Sequence, residues 1–177
     1  MNTFTEYSCR IGRLWAHTTR ALQRIPHSLI ALIARFSIAA VFWKSGQTKV
    51  EGFALDVVSG TVEWGQPHLA DSALYLFSHE YKVPLLPAEF AAYAATVCEH
   101  LFSALILVGL ATRVSALMLL GMTLTIQLFV YPEAYATHGT WAAILLYLMA
   151  RGPGAISIDY WLARLYRQGC SKRCTVR

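Results

Sequence analysis

RFSIAAVFWKSGQTKVEG, from Arg35 to Gly52, is the stretch on which the reading of this chain turns. Its apolar part has the character of a helix inside a membrane, yet it carries three cations, Arg35, Lys44 and Lys49. An isolated charge at mid-bilayer costs at least ~2.5 kcal/mol on insertion scales. Each cation must therefore snorkel to an interface, find a partner or line a polar interior.

The surrounding sequence makes a bilayer the expected solvent. Of 177 residues, 56% are hydrophobic and 14% charged, and the mean hydropathy is +0.44, outside the range of soluble domains. A span needs about 20 mostly apolar residues. Four windows qualify: Ser28 to Thr48, Pro87 to Ala111, Val114 to Tyr131 and Ala134 to Met149. The expected fold is all-α, an integral membrane four-helix bundle. The first window has a positive flank, but its apolar run begins late, continues too far and lacks a small-residue cleavage site, so a retained span is expected rather than a signal peptide.

The net charge of +5 lies mostly outside the spans, which argues for membrane topology and against nucleic acid. Arg10, Arg13, Arg20 and Arg24 precede the first span. Arg113 separates the second and third, and Arg151, Arg164, Arg167, Lys172, Arg173 and Arg177 follow the fourth. The other connections are acidic, with Glu51, Asp56, Glu63, Asp71, Glu80 and Glu89 in one and Glu133 in the other. The positive-inside rule places both termini in the cytoplasm, and a bacterial-type inner membrane is the expected location. Cys9, Cys170 and Cys174 then lie where thiols stay reduced, and no disulfide is expected. CSKRC lacks the C-x-x-C spacing and a second ligand pair, so it reads as free thiols.

Three segments divide the chain: residues 1–27 as a basic cytoplasmic helix, 28–160 as the membrane domain and 161–177 as a basic tail. In the first, Ile11, Leu14, Trp15, Leu22 and Ile25 share one arc at about 100° per residue, opposite Arg10, Arg13, His17, Arg20 and Arg24. Such a helix lies on a leaflet and holds anionic headgroups. The tail repeats the design with Ile158, Trp161, Leu162 and Leu165 against Arg164, Arg167 and Lys172. The connection from Val50 to Pro87 is too apolar for a solvated loop. Gly60, Gly65 and Pro67 divide it, and Asp71 and Ser72 suit a helix start, so short helices capping the outer mouth of the bundle are expected.

Inside the spans, Arg35, Phe42, Gly46 and Lys49 share a face, with Lys44 opposite. The second span carries a polar face of Glu89, Ala92, Thr96, Glu99, His100 and Ser103, with Cys98 directed elsewhere. At 1.5 Å per residue, Arg35 and Glu99 both lie roughly 20 Å from the outer end, so an Arg35–Glu99 ion pair is expected, supported by His100 and Ser103. It reads either as a structural pin or as part of a proton, quinone or substrate site. Cys98, Glu99 and His100 diverge by about 100° per residue, which excludes a shared metal ion. Gln127, one turn beyond Thr123, and His138 at the outer start of the fourth span can join the polar interior. Gly152, Pro153 and Gly154 end the fourth helix, and Ser157 or Asp159 can cap the next.

With these residues in place the chain resembles the DoxX family of small four-span membrane proteins. The arginine followed by Ser-Gly and lysine matches Arg35, Ser45, Gly46 and Lys49. The glutamate followed by Gly-Leu and Thr-Arg matches Glu99, Gly109, Leu110, Thr112 and Arg113, and the closing GPG-x-x-S-x-D matches Gly152, Pro153, Gly154, Ser157 and Asp159. SGQTKVEG and THGTWAA resemble a subgroup encoded beside proteins that make modified, metal-binding peptides. The resemblance implies a part in membrane redox or oxidative-stress complexes, as for the membrane subunit of thiosulfate:quinone oxidoreductase. It does not imply thiol-disulfide chemistry, since paired cysteines are lacking.

Two functions follow. In one, the chain is a redox-linked oxidoreductase subunit in which Arg35, Lys49, Gln127 and His138 hold a quinone or small anion and Glu99 and His100 carry protons. In the other it is a non-catalytic anchor that recruits a soluble partner, for example in metal-binding peptide production or metal stress. A protein partner or homo-oligomer is expected in either case.

Overall fold

The computed structural model describes residues 3–56, 60–81 and 86–174; for residues 3–11, 56 and 169–174 only the backbone is described. The chain runs α1 (Thr3–Leu22), α2 (His27–Gln47), β1 (Val50–Asp56), β2 (Thr61–Leu69), α3 (Asp71–Leu76), α4 (Ala88–Val108), α5 (Thr112–Thr125), α6 (Tyr135–Arg151) and α7 (Ile158–Cys174). A π turn, Phe77–Tyr81, extends α3, and another, Ile126–Val130, extends α5.

Among the described residues, three helices are long and apolar enough to cross a membrane: His27–Gln47, Ala88–Val108 and Thr112–Val130. α6 has 17 residues, about 26 Å at 1.5 Å per residue. α2, α4, α5 and α6 pack in a ring, each against the next and α6 back against α2. Ile38, Phe42, Ile106, Leu119, Leu145 and Leu148 fill its centre. Only 22% to 33% of each candidate span is buried within the protein, and Phe36, Ile33, Val97, Leu117 and Leu128 point outward from it. Helices apolar on their outer faces need lipid to cover them, so the chain is a multi-pass membrane protein in contact with lipid.

The connection between α2 and α4 departs from the expected helical cap. Its first half is an antiparallel hairpin, with Val50 opposite Leu69, Phe53 opposite Trp64 and Asp56 opposite Thr61. The alternation of Phe53 with Leu55 and of Val62 with Trp64 suits a pleated ribbon, and the register shift after Glu51 takes up Gly65 and Pro67, residues that a helix would exclude. Only the second half is helical. There Ala70, not Asp71 or Ser72, is the N-cap, and no side chain caps the helix. α3 closes a second apolar cluster of Leu69, Ala73, Phe77, Ala91 and Ala92 over the start of α4.

α1 and α7 lie outside the ring, with Leu14, Trp15, Leu22, Trp161, Leu165 and Tyr166 exposed. The side chains of Cys9, Cys170 and Cys174 lie outside the described residues.

Candidate functional site

The polar residues of the spans separate into two clusters at opposite ends of the ring. At the end where α4 stops and α5 begins, the buried Arg35 guanidinium donates to backbone carbonyls: Nε to Ile106 O at 2.8 Å, Nη2 to Leu107 O at 2.6 Å, and Nη1 to Pro153 O at 3.3 Å and to Ile156 O. The last carbonyls of a helix have no intrahelical partner and carry its negative dipole end, so a cation is favoured there. Gly109 is left-handed at φ 73°, and a Cβ there would lie 2.8 Å from the guanidinium carbon. Asp159 accepts from Ala111 N–H at 2.8 Å and Thr112 N–H at 2.9 Å, capping the start of α5. Ser157 caps α7 itself, accepting from Tyr160 N–H at 3.2 Å. This end is a staple that joins two helices and the Gly-Pro-Gly turn.

The expected Arg35–Glu99 pair is therefore replaced by another. Lys49 Nζ lies 2.9 Å from Glu99 Oε2 and 3.1 Å from Oε1, and Ser45 Oγ donates to Oε1 at 3.0 Å. Side chains on a helix lean toward its N-terminus. Arg35 accordingly leans away from the hairpin to the end of α4, while Lys49, just past the end of α2, leans back into the ring and meets Glu99. Depth along the helix axis had placed Arg35 and Glu99 level but left out this lean.

Lys49 and Glu99 form one polar corner of a cavity of about 320 Å³. Phe42, Ala91, Ala95, Met122, Ile126 and Trp141 make much of its wall. His138 is a second polar point and is 5% exposed. Its Nδ1 is 2.7 Å from Gln127 Oε1, and Gln127 Nε2 donates to Pro132 O at 2.6 Å. Gln127 thus supports the cavity from behind without lining it. Tyr81 and Tyr131 stand at the π-turn side, with their hydroxyls 3.3 Å apart. Burial, then the bond to Tyr131, pushes the Tyr81 phenol up from its ordinary value, which keeps it protonated.

His100 does not reach this cavity. Its ring fits against Gly46, where a Cβ would lie 2.6 Å from Cε1. Nδ1 is 2.8 Å from Thr96 O and Nε2 is 2.8 Å from Gln47 Nε2, while Gln47 Oε1 accepts from Leu55 N–H at 2.7 Å. The Leu55 amide fixes the orientation of Gln47, and the Thr96 carbonyl requires a hydrogen on Nδ1, so both imidazole nitrogens are engaged. With Trp43 Nε1 donating to Leu55 O at 2.9 Å, this group ties the hairpin to the ring. Ser103 also turns inward on its own helix, donating to Glu99 O and to His100 O.

Of the residues singled out in the sequence, Lys49, Glu99 and His138 meet at the cavity, Gln127 positions one of them, and Arg35 and His100 stand elsewhere. Cys98 lines the same cavity, against the expectation that it points away, because the cavity follows the flank of α4 through Ala91, Ala94 and Ala95. Tyr81 and Tyr131 were missed, and Ser45 was named only in the family motif, without a role. Ser45 had a signal, lying one turn before Lys49; the two tyrosines had none, since their meeting depends on two π turns. Among the described residues, no three His, Cys, Asp or Glu side chains cluster as a metal site.

Residues 30–132 match the DoxX family. The chain belongs to the DoxX family. No curated protein and no solved structure matches it. The DoxX match spans Arg35, Lys49 and Glu99, and hence both the staple's cation and the cavity's ion pair. It stops short of His138 and of the Gly-Pro-Gly turn. In this DoxX protein Arg35 of α2 and Lys49 just past its end thus do separate work at opposite ends of the ring.

Proposed function

We propose that this DoxX protein is a quinone-associated membrane subunit of a redox-linked complex, and that a quinone ring occupies the cavity. The observation that carries this reading is a cavity of about 320 Å³ with an aromatic and aliphatic wall, lined by the Lys49–Glu99 pair and by His138. Pockets of roughly 300 Å³ and above, mostly apolar with a few convergent polar groups, suit small organic ligands. Lodged among membrane-spanning helices, it suits a ligand dissolved in lipid. Ionisable groups at such depth mark function more often than not. Glu99 and His138, rather than His100, are the groups in position to exchange protons with the ring oxygens, while a partner subunit supplies the electron chemistry.

In this reading α6 is the fourth span, the hairpin and α3 cover the outer mouth, and both termini are cytoplasmic in a bacterial-type inner membrane. Residues 1–27 and 161–177 flank the membrane domain of 28–160 and rest on anionic headgroups. A second reading, a non-catalytic anchor for a soluble partner, is favoured by the exposed Trp15, Trp161 and Tyr166 beside exposed Arg13, Arg20, Arg164 and Arg167.

Mass spectrometry of organic extracts from protein purified in mild detergent separates the two. Quinone at one per chain in wild type, lost in folded E99Q and retained in R35K, supports the cavity. Its absence from wild type, with a partner released on deletion of residues 1–24, favours the anchor.

A further inference from the structure

The hydrogen-bond arrangement around His138 carries a statement about which form of ligand the cavity accepts. Gln127 Nε2 donates to Pro132 O, so the amide oxygen must face His138, and Nδ1 must carry the hydrogen that this oxygen accepts. In the neutral ring Nε2 is then a bare acceptor. It has no partner among the described residues, and it is not among the buried polar atoms sealed off from every partner. The residue is 5% exposed and lines the cavity. An unpartnered acceptor on a buried side chain that lines a cavity is satisfied by whatever enters that cavity.

The Lys49–Glu99 corner has the same polarity. Lys49 directs its three ammonium hydrogens to Ser45 O, to Ser45 Oγ and to the Glu99 carboxylate. Glu99 Oε1 accepts from both Ser45 and Lys49, whereas Oε2, among the described residues, accepts from Lys49 alone and keeps lone-pair capacity. The ion pair thus offers an incoming molecule an acceptor and no free donor. Donors do exist in the wall, in the Trp141 indole and one hydroxyl of the Tyr81 and Tyr131 pair. They can bond an oxygen of either redox form of a quinone, so they do not discriminate. Acceptors do: a hydroquinone brings hydroxyl hydrogens, while a quinone brings only carbonyl lone pairs that face the His138 and Glu99 lone pairs.

We propose that the cavity selects a ligand bearing a hydroxyl donor, the hydroquinone over the quinone, with His138 Nε2 accepting its hydrogen and Gln127 acting as the positioning residue that fixes the imidazole tautomer. This rests on the reading of the cavity as a quinone site. A site built to hydrogen-bond a hydroxyl rejects an analogue lacking it, here by at least about tenfold.

The test is equilibrium binding to the full chain in detergent of a short-chain benzoquinone, its hydroquinone kept reduced under argon, and the hydroquinone dimethyl ether, which has the same ring and no donor. The expected order is hydroquinone at least about tenfold tighter than the other two. The ratio should collapse toward one in H138F, which removes the acceptor. It should also fall in Q127L, which leaves His138 in place but frees its tautomer; a purely structural role for Gln127 would weaken all three ligands alike. Equal binding of the three by wild type overturns the selectivity and leaves the site intact. Binding of none overturns the site itself. A tenfold preference that survives in H138F overturns the assignment to His138.

Discussion

Replacing Lys49 by methionine should destabilise this protein far more than replacing Glu99 by glutamine. The Glu99 side chain is 3% exposed and, among the described residues, its carboxylate is held by Lys49 and Ser45 alone, so K49M leaves a buried charge with a single hydroxyl donor. Breaking a buried pair in this way costs about 3 to 5 kcal/mol. At about 2 to 4 °C per kcal/mol for a chain of this size, the unfolding midpoint falls by roughly 6 to 20 °C. The reverse change is milder for two reasons. The glutamine carbonyl still accepts from Ser45 and Lys49, and Lys49, 13% exposed just past the end of α2, can carry its ammonium toward the hairpin surface. E99Q should cost only about 1 to 2 kcal/mol. The double variant should lose less than the sum of the two, by about 2 kcal/mol, because the orphaned charge is gone. Thermal unfolding in mild detergent, repeated by titration with a denaturing detergent, measures all four proteins. Equal losses in the two single variants that add in the double would refute the reasoning, since that pattern requires that Lys49 and Glu99 not depend on each other.

R35K should destabilise by about 2 to 3 kcal/mol, because a single ammonium cannot span carbonyls from two separate segments as the guanidinium fork does. Its content of cavity ligand per folded molecule should match wild type in the extraction assay; loss of ligand from a folded R35K would contradict the staple. G46A should cost about 1 to 3 kcal/mol by pushing a methyl group against His100, and Trp43 fluorescence, read as the difference from a W43F background, should shift as the ring 5.0 Å away moves. An unchanged emission with unchanged stability would show that Gly46 is not needed for that contact.

Much of the membrane part was legible because bilayer energetics act on local composition. The first three windows match α2, α4 and the extended α5 to within a few residues. Lys44 is exposed on the outer side of α2, as its position on the wheel implied. The hairpin was not legible in the same way. A connection rich in Phe, Val, Leu and Trp was read as helical from its apolar content, while the alternation in TVEW and the placement of Gly65 and Pro67 were the signals for a ribbon. For the site, periodicity brought Lys49 and Glu99 to interior faces but could not say which cation the carboxylate would meet.

By itself, then, the sequence determined that this chain lives in lipid, where its three long apolar helices begin and end, and that several charges turn inward, because each depends on residues within a few turns of one another. Tertiary structure decided the partners. Which carbonyls Arg35 satisfies, that Lys49 and not Arg35 reaches Glu99, and that Gln127 fixes the hydrogen on His138 all depend on side-chain lean, helix register and two π turns. These are set by packing between elements far apart in the chain, where a shift of one residue or one rotamer exchanges one partner for another.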